Sequence, residues 1–522
     1  MITSRANVTK PPTTRASIAV IDVGASAIRL VIAQHAPGER PQVLEEASRS
    51  VLLGRDTFAV GRIGATTTDA AVRALSGFRR MMDDYGVTRT RAVATSAVRE
   101  AANCDTFLDR VRVRTGVDIE VIDGSEESRL TYLAVRDSLS AHPALAAPAT
   151  LLVEVGGGSV DLTRLENGQP VQAGVFPLGA IRLRQRLGVW FGSHEQRIRL
   201  LTSQVDTTVG EMVTEVPVSD ASFVVALGSE MRFAAARVVG MEGSVAEIGR
   251  DAFMEFAQEV AKRDEDELVS RYRLSPIEAE TMVPALLVYR ALIEATAAQT
   301  IVVPEVSLRA GLLIDLIGGS AAEADFAPQV LASAMTLGER YRADSNHVKH
   351  VAKLATRLFD NLAAEHGLNT RDRLLLEVAA LLHDIGLFVS LRGHHKHAMY
   401  LLQASEIFGL TRDDMQIVAN IARYHRRGLP QKSHPEFMRL DRDERVRVTK
   451  LAAILRLANA LDAEHLQKVS DATLREEDGR WVIELHGQGD LTMERMAATS
   501  RADLLVDVFG NHVVIRGAGA GA

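Results

Sequence analysis

The chain has 522 residues, 24% of them charged and 47% hydrophobic, which is the balance of a folded globular protein and not of a disordered, collagen-like or membrane-spanning one. At roughly 100 to 200 residues per domain the length fits about three to five units, so a small stapled scaffold is excluded. Sixty Lys and Arg against 67 Asp and Glu give a formal net charge of -7 and 5% of residues are aromatic, so neither a global basic field nor a supply of stacking rings points to nucleic acid or an anionic membrane.

The single cysteine, Cys104, rules out an intramolecular disulfide and a Cys-only metal cluster and fits a reducing compartment. Residues Met1 to Ser17 are rich in Thr, Arg and Pro without an apolar signal region, and no apolar run approaches about 18 residues. The expectation is a cytoplasmic protein with a frayed N-terminal tail.

From Ser17 to about Gly319 short β-like runs alternate with helical stretches, the rhythm of an α/β pair of domains. Strands are expected at Ile18 to Val23, Ile28 to Ala33, Arg91 to Thr95, Ile119 to Ile122, Thr150 to Val155, Val160 to Leu165, Val171 to Phe176, Phe223 to Leu227 and Thr300 to Val303. From Ala321 to about Leu466 the apolar spacing turns helical, as in Val351, Leu354, Ala355 and Leu358. Trp481 to Leu485, a helical Thr492 to Val508 and His512 to Ile515 predict a small α+β appendage. The expected domains are residues 17–138, 139–319, 320–468 and 469–522.

Ile21-Asp22-Val23-Gly24 and Val153-Glu154-Val155-Gly156 both end a strand on acid, apolar residue and glycine, about 130 residues apart, which predicts a duplicated fold. A second β-run follows each, so acid and glycine sit at a tight turn, and Asn167-Gly168 predicts a further hairpin in the later copy. Turns such as Gly24-Ala25-Ser26-Ala27 and Gly156-Gly157-Gly158-Ser159 can aim backbone N-H groups at phosphate oxygens. Asp22, Glu154 and Asp161 are carboxylates of the kind that, with substrate phosphates, bind Mg²⁺. The plain alternative is tight hairpins with no ligand. Ala94 to Ala101 passes from strand to helix, with Ser96 placed to meet an anion and Arg99 able to clamp one. Ile122 to Arg129 repeats that passage with Glu126 and Glu127 in the first helical turn, where they would also serve as dipole-favourable acids.

Taken together these segments resemble the exopolyphosphatase and guanosine pentaphosphate phosphohydrolase (Ppx/GppA) family: the D-x-G turn with Ile28-Arg29-Leu30, Ala-Thr-Ser-Ala-x-Arg-Glu-Ala at 94 to 101, Ile-x-Gly-x-x-Glu at 122 to 127 and Gly-Gly-Gly-Ser at 156 to 159. Leu178-Gly179-Ala180-Ile181-Arg182, Leu382-His383-Asp384-Ile385-Gly386 and Ala422 to Arg427 extend the likeness to the long-form members. The resemblance implies two actin-like α/β domains of the sugar kinase and Hsp70 type with an active-site cleft between them, then an HD-like all-helical domain. It implies Glu127 as the catalytic glutamate that handles the attacking water and Arg99 as a neutraliser of phosphoryl charge. Asp22, Glu154 and Asp161 would gather Mg²⁺, with K⁺ as an open addition, and Gly24, Ser26, Ser96, Gly156, Gly157, Gly158 and Ser159 would cradle phosphate.

The family usually has Asp where Glu154 stands and Glu where Asp161 stands, so the two acids are exchanged. Ala25 replaces a common hydroxyl, Ser128 a small Ala or Gly, and Ala310 interrupts an Arg-Glu-Gly. Altered kinetics are expected, more than lost activity. In the helical domain His347, His383 and Asp384 resemble the metal ligands of HD-type phosphohydrolases, but Asn459 stands where active members carry Asp, which favours a structural relic over the alternative of a second active site. Arg423, His425, Arg426 and Arg427, with His394, His395, Lys396 and His397, read either as a path for a long polyanion or as a solvated helix face. The function implied is processive, Mg²⁺-dependent release of terminal phosphate from inorganic polyphosphate. The alternatives are guanosine pentaphosphate 5'-phosphohydrolysis and a weakened polyphosphate- or alarmone-binding regulator. A homodimer is implied by the long-form family, and neither nucleic acid nor membrane is an expected partner. A nucleotide-binding kinase or ATPase is discounted because Leu227-Gly228-Ser229-Glu230 offers one glycine where an adenosine loop needs more.

Overall fold

A computed structural model describes residues 15–36, 39–188, 192–240, 243–318, 326–426 and 428–517. The expected N-terminal tail, the 319/320 boundary and Arg427 lie outside the described residues. The chain divides into two compact units, residues 1–322 and 323–522, and no described helix is long and apolar enough to cross a membrane.

The first unit is built on two mixed sheets. β1 (Ala16–Val23), β2 (Ala27–His35), β3 (Gln42–Ser50), β4 (Arg89–Ala94) and β5 (Glu120–Val121) form the first, in the order β3-β2-β1-β4-β5. β6 (Thr150–Val155), β7 (Val160–Glu166), β8 (Gln169–Phe176), β9 (Phe223–Leu227), β10 (Val245–Gly249) and β11 (Thr300–Pro304) form the second, in the order β10-β11-β9-β6-β7-β8. β6, β7, β8, β9 and β11 repeat the first sheet's order, and β10 extends its edge. The echo of acid and glycine therefore marks a duplicated sheet, and each copy has its own apolar core, around Ile21, Leu30 and Phe78 in one and Val153, Leu162 and Leu292 in the other.

The hairpins follow from turn chemistry. Asn167 and Gly168 both take positive φ, 50° and 76°, the twist that a two-residue β7–β8 connection requires. Three strands went unexpected. β3 is largely exposed and charged, so it lacks the alternation that marks a strand, and β10 is a five-residue edge. The third, β12 (Val469–Glu477), lies in the second unit.

Two helices tie the copies together. The Gly124–Ser138 helix continues from β5 yet packs on β7 and β8. The Leu308–Gly318 helix ends the second copy yet packs on β1 and on the Gly124–Ser138 helix. At their crossing, a Cβ on Gly311 would lie 1.9 Å from the Leu130 carbonyl oxygen, so only glycine permits the approach.

In the second unit, helices including Ser345–Asn361, Thr370–Leu382, His394–Gln403, Arg412–Arg423 and Arg442–Ala460 surround one core. β12, β13 (Arg480–Gly487) and β14 (Val513–Gly517) form a three-stranded sheet in that order. Val469, Trp481, Ile483 and Ile515 join the helical core, so sheet and helices share one interior. The single helix expected from Thr492 to Val508 is two, Thr492–Arg501 and Asp503–Phe509.

Candidate active site

The two acid-glycine turns are alike in detail. Gly24 N-H donates to the Ala27 carbonyl at 3.1 Å and Gly156 N-H to the Ser159 carbonyl at 2.8 Å. Strand register places Asp22 opposite Arg29 and Glu154 opposite Asp161, and residues directly opposite on antiparallel strands share a face. The turns also meet. A Cβ on Gly157 would lie 3.0 Å from Ala25 Cβ, and one on Gly158 would lie 2.5 Å from Ser96 Oγ and 2.3 Å from the Phe58 ring. The glycines are thus needed for close approach, and they bring the Gly24-to-Ala27 turn, Ser96 and the Gly156-to-Ser159 turn to one place.

Glu127 is set by the start of its helix. Asp123 caps that helix by accepting from Glu126 N-H at 2.9 Å, and Gly124 fits beneath Val175, where a Cβ would come within 2.6 Å. Arg99 Nη1 donates to the Ile122 carbonyl at 2.5 Å and lies 3.7 Å from Glu127 Oε2. One fifth of the Glu127 side chain is exposed (21%), yet Oε2 is sealed from solvent with no hydrogen-bond partner. Burial pushes its carboxyl up to about 7, Arg99 opposes this, and the negative charges of Glu154 and Asp22 add to it. Glu126, the adjacent residue, behaves oppositely. Burial alone would raise it, but Arg129 at 2.6 Å and Arg91 at 2.9 Å hold it below the usual carboxylate range. Asp315 completes that network, 2.5 Å from Arg91 and 2.7 Å from Arg129. Glu126 is structural and Glu127 is the reactive candidate.

Asp22 and Glu154 are close enough to act on each other: burial raises the Glu154 carboxyl and the charge of Asp22 raises it further, against Thr131, Arg232 and Arg29. Thr131 Oγ1 donates to Glu154 Oε2 at 3.3 Å. Arg309 Nη1 and Arg29 Nη1 stand 3.5 and 3.7 Å from Asp22. Mutually repelling buried carboxylates fit a divalent cation, and Asp22 and Glu154 would hold it. Asp161 sits differently, because its carboxylate accepts from Ser128 Oγ, 2.7 and 2.8 Å from its two oxygens. Two departures from the family pattern therefore touch: the shorter acid at 161 and the added hydroxyl at 128 fill the same space.

Arg29 could have been found from the hairpin register opposite Asp22. Arg232 comes from a helix remote in sequence and leaves no local signal, whereas Arg309 is the arginine of the Arg-Glu-Gly run that Ala310 interrupts. The basic path is corrected in part, because His394 and His425 are buried, 4% and 1% exposed, and cannot line a surface channel. Arg426 and Lys396 do face solvent.

The profile of the Ppx/GppA phosphatase family matches residues 31–319, and that of its domain III matches residues 331–499. Exopolyphosphatase 1 of Mycobacterium leprae is 28% identical over 310 residues, 57% of this chain and 88% of that protein. Exopolyphosphatase 1 of Mycobacterium bovis is 30% identical over 233 residues, 44% of this chain and 65% of that protein, so this second match spans just under two thirds of its relative. The crystal structure of an exopolyphosphatase from Cytophaga hutchinsonii superposes with a TM-score of 0.52 at 21% identity, over 58% of this chain and 98% of that one, which shows a shared fold. With the first profile spanning more than half of its length, the chain belongs to the Ppx/GppA phosphatase family and is a hydrolase of phosphoanhydride bonds.

Proposed function

We propose that the chain is an exopolyphosphatase that releases terminal phosphate processively from inorganic polyphosphate with Mg²⁺. The observation that carries this reading is Glu127, a carboxyl raised to about 7 with one oxygen sealed from solvent, beside two glycine turns. A base with a pKa near neutral both exists deprotonated at working pH and accepts a proton with useful driving force. Glu127 would take the proton of the attacking water, and Arg99, tied to the Ile122 carbonyl, would hold the carboxylate in position. Ser26, Ser96, Ser159 and the turn backbones would bind the terminal phosphoryl group, with Arg29, Arg232 and Arg309 offsetting the charge of the chain behind it. Asp22 and Glu154, with Asp161 released from Ser128 or acting through it, would hold Mg²⁺, which when bound neutralises phosphoryl oxygens. The two mycobacterial relatives, each named an exopolyphosphatase, support polyphosphate as the substrate.

Phosphate release from long-chain polyphosphate tests the reading, with guanosine pentaphosphate in a parallel reaction. The expected result is release in Mg²⁺ that EDTA abolishes and added Mg²⁺ restores, with full-length polymer and free phosphate but few intermediate lengths. Conversion of guanosine pentaphosphate alone would make the chain a pentaphosphate hydrolase, and binding of either without turnover would make it a regulator.

A further inference from the structure

The triple-glycine turn between β6 and β7 has its carbonyls held from one side. Ala180 N-H donates to the Gly156 carbonyl at 2.9 Å, and the N-H groups of Ile181 and Arg182 donate to the Gly157 carbonyl at 2.9 and 3.2 Å. Those three donors open the Ala180–Gly188 helix, whose first-turn N-H groups have no partner within the helix itself. Among the described residues no backbone N-H reaches the Gly158 carbonyl, which is taken by a side chain instead, Arg182 Nε at 2.9 Å. Gly179 lets the helix start lie this close, because a Cβ there would stand 2.3 Å from the Gly158 carbonyl carbon and 2.4 Å from Ser159 N.

The peptide bonds of the turn are trans, and a trans peptide is planar with its N-H pointing opposite to its carbonyl. Carbonyls drawn toward the Ala180–Gly188 helix therefore turn the N-H groups of Gly157, Gly158 and Ser159 to the other side. Among the described residues none of these three N-H groups donates to a protein acceptor, and successive donors aligned in this way make an anion nest. Arg182 is itself held in place. Its Nη2 lies 2.8 and 2.7 Å from the two carboxylate oxygens of Glu100, and its guanidinium carbon lies 4.2 Å from the centroid of the Phe58 ring, a cation–π distance. Phe58 and Glu100 belong to the first copy and Gly158 to the second, so one side chain ties the turn to both.

We propose that Arg182 is a positioning residue for phosphate release: by holding the Gly158 carbonyl it aims the Ser159 N-H at the terminal phosphoryl group of polyphosphate. This rests on the exopolyphosphatase reading above. Arg182 touches no reacting atom and acts through one peptide plane. Phosphoryl transfer depends on how the transferred group is placed and on donors fixed around it beforehand, whereas a long polymer is also bound along the rest of its length. Loss of the aim therefore lowers kcat and leaves KM near its native value. Glu100 acts one step further out, by keeping Arg182 extended toward the turn.

The test compares full-length native protein with Arg182→Gln and Arg182→Met, two side chains of like length of which only Gln keeps an N-H donor where Arg182 has Nε. Both lose the charge and the Glu100 pair, so a merely structural role would move them together. The readouts are kcat and KM for phosphate release from long-chain polyphosphate in Mg²⁺, orthovanadate binding by isothermal titration calorimetry, and melting temperature as a fold control. Arg182→Met should lose about 10²-fold in kcat with KM within about threefold of native, and should bind orthovanadate about tenfold more weakly. Arg182→Gln should keep kcat within about fivefold of native, since the donor to Gly158 survives. Folded Met and Gln variants with equal kcat and equal orthovanadate affinity would overturn the proposal. If the Met variant does not fold, Glu100→Ala decides: a several-fold loss in kcat at native KM supports the proposal, and a native rate overturns it. Native protein that releases no phosphate from the polymer would fail the exopolyphosphatase reading instead, and the orthovanadate affinities of the Met and Gln variants would still decide the role of Arg182.

Discussion

Glu126 and Glu127 are neighbours in one helical turn, and their surroundings push them apart: two arginines clamp the first, while burial and two nearby acids lift the second to about 7. The sign of the linkage is definite. With a folded value of about 7 against an ordinary 4.5, the native state binds more protons than the unfolded one between those values, so this group's contribution to stability is present below about 4.5 and is lost as pH rises to about 7. In Mg²⁺-free buffer, Glu127→Gln should therefore gain on the native protein by roughly 1 to 3 kcal/mol between about pH 5 and pH 8, read as a widening gap in melting temperature. A gap that stays flat with pH would contradict the assignment. The Ser128–Asp161 contact makes a second prediction. Asp161→Glu alone should lower kcat/KM about tenfold because the longer acid meets Ser128 Oγ, and adding Ser128→Ala should recover most of it, a coupling of about 1 to 2 kcal/mol. Additive losses would mean that the two residues do not share the space. The positions of Asp22 and Glu154 at strand ends and of Glu127 in a first helical turn were legible because their motifs are local in sequence. The Ser128–Asp161 pairing was not, because it depends on how a helix from the first copy crosses strands of the second.

Hairpins and crossing helices place these residues. β1–β2 and β6–β7 carry acid and glycine to equivalent ends of two sheets, and the glycines let the turns touch. The Leu308–Gly318 helix then brings Arg309 to Asp22, with Gly311 at the crossing. Gly311→Ala would force the helix away from the Leu130 carbonyl, and overpacking of this kind costs about 1 to 3 kcal/mol. A lower melting temperature and weaker phosphate release are both expected, and a variant with native melting would show that the helix can shift freely. The strands with strong apolar alternation were legible in sequence. β3 and β10 were not, since exposed edge strands need little apolar surface, and the split at Ala502 leaves the helical pattern of 492–508 nearly unbroken.

Across the whole molecule, the two units have separate apolar cores, so calorimetric unfolding should show more than one transition. Polyphosphate with Mg²⁺ should raise the component of the first unit by about 2.7 kcal/mol at a hundred times its Kd and leave that of the second in place. A single transition, or both raised equally, would contradict independent units. The duplication was legible from two four-residue echoes, whereas the burial of His394 and His425 was not: in sequence they sit among Lys and Arg, and only the helix packing turns them inward. The central claim is that Glu127 handles the attacking water, and phosphate release from polyphosphate in Mg²⁺ by native protein, Glu127→Gln and Glu127→Asp tests it most directly. The account predicts a loss of about 10² to 10⁴-fold for Gln, with the rate partly kept by Asp. A Gln variant that turns over at the native rate would contradict it.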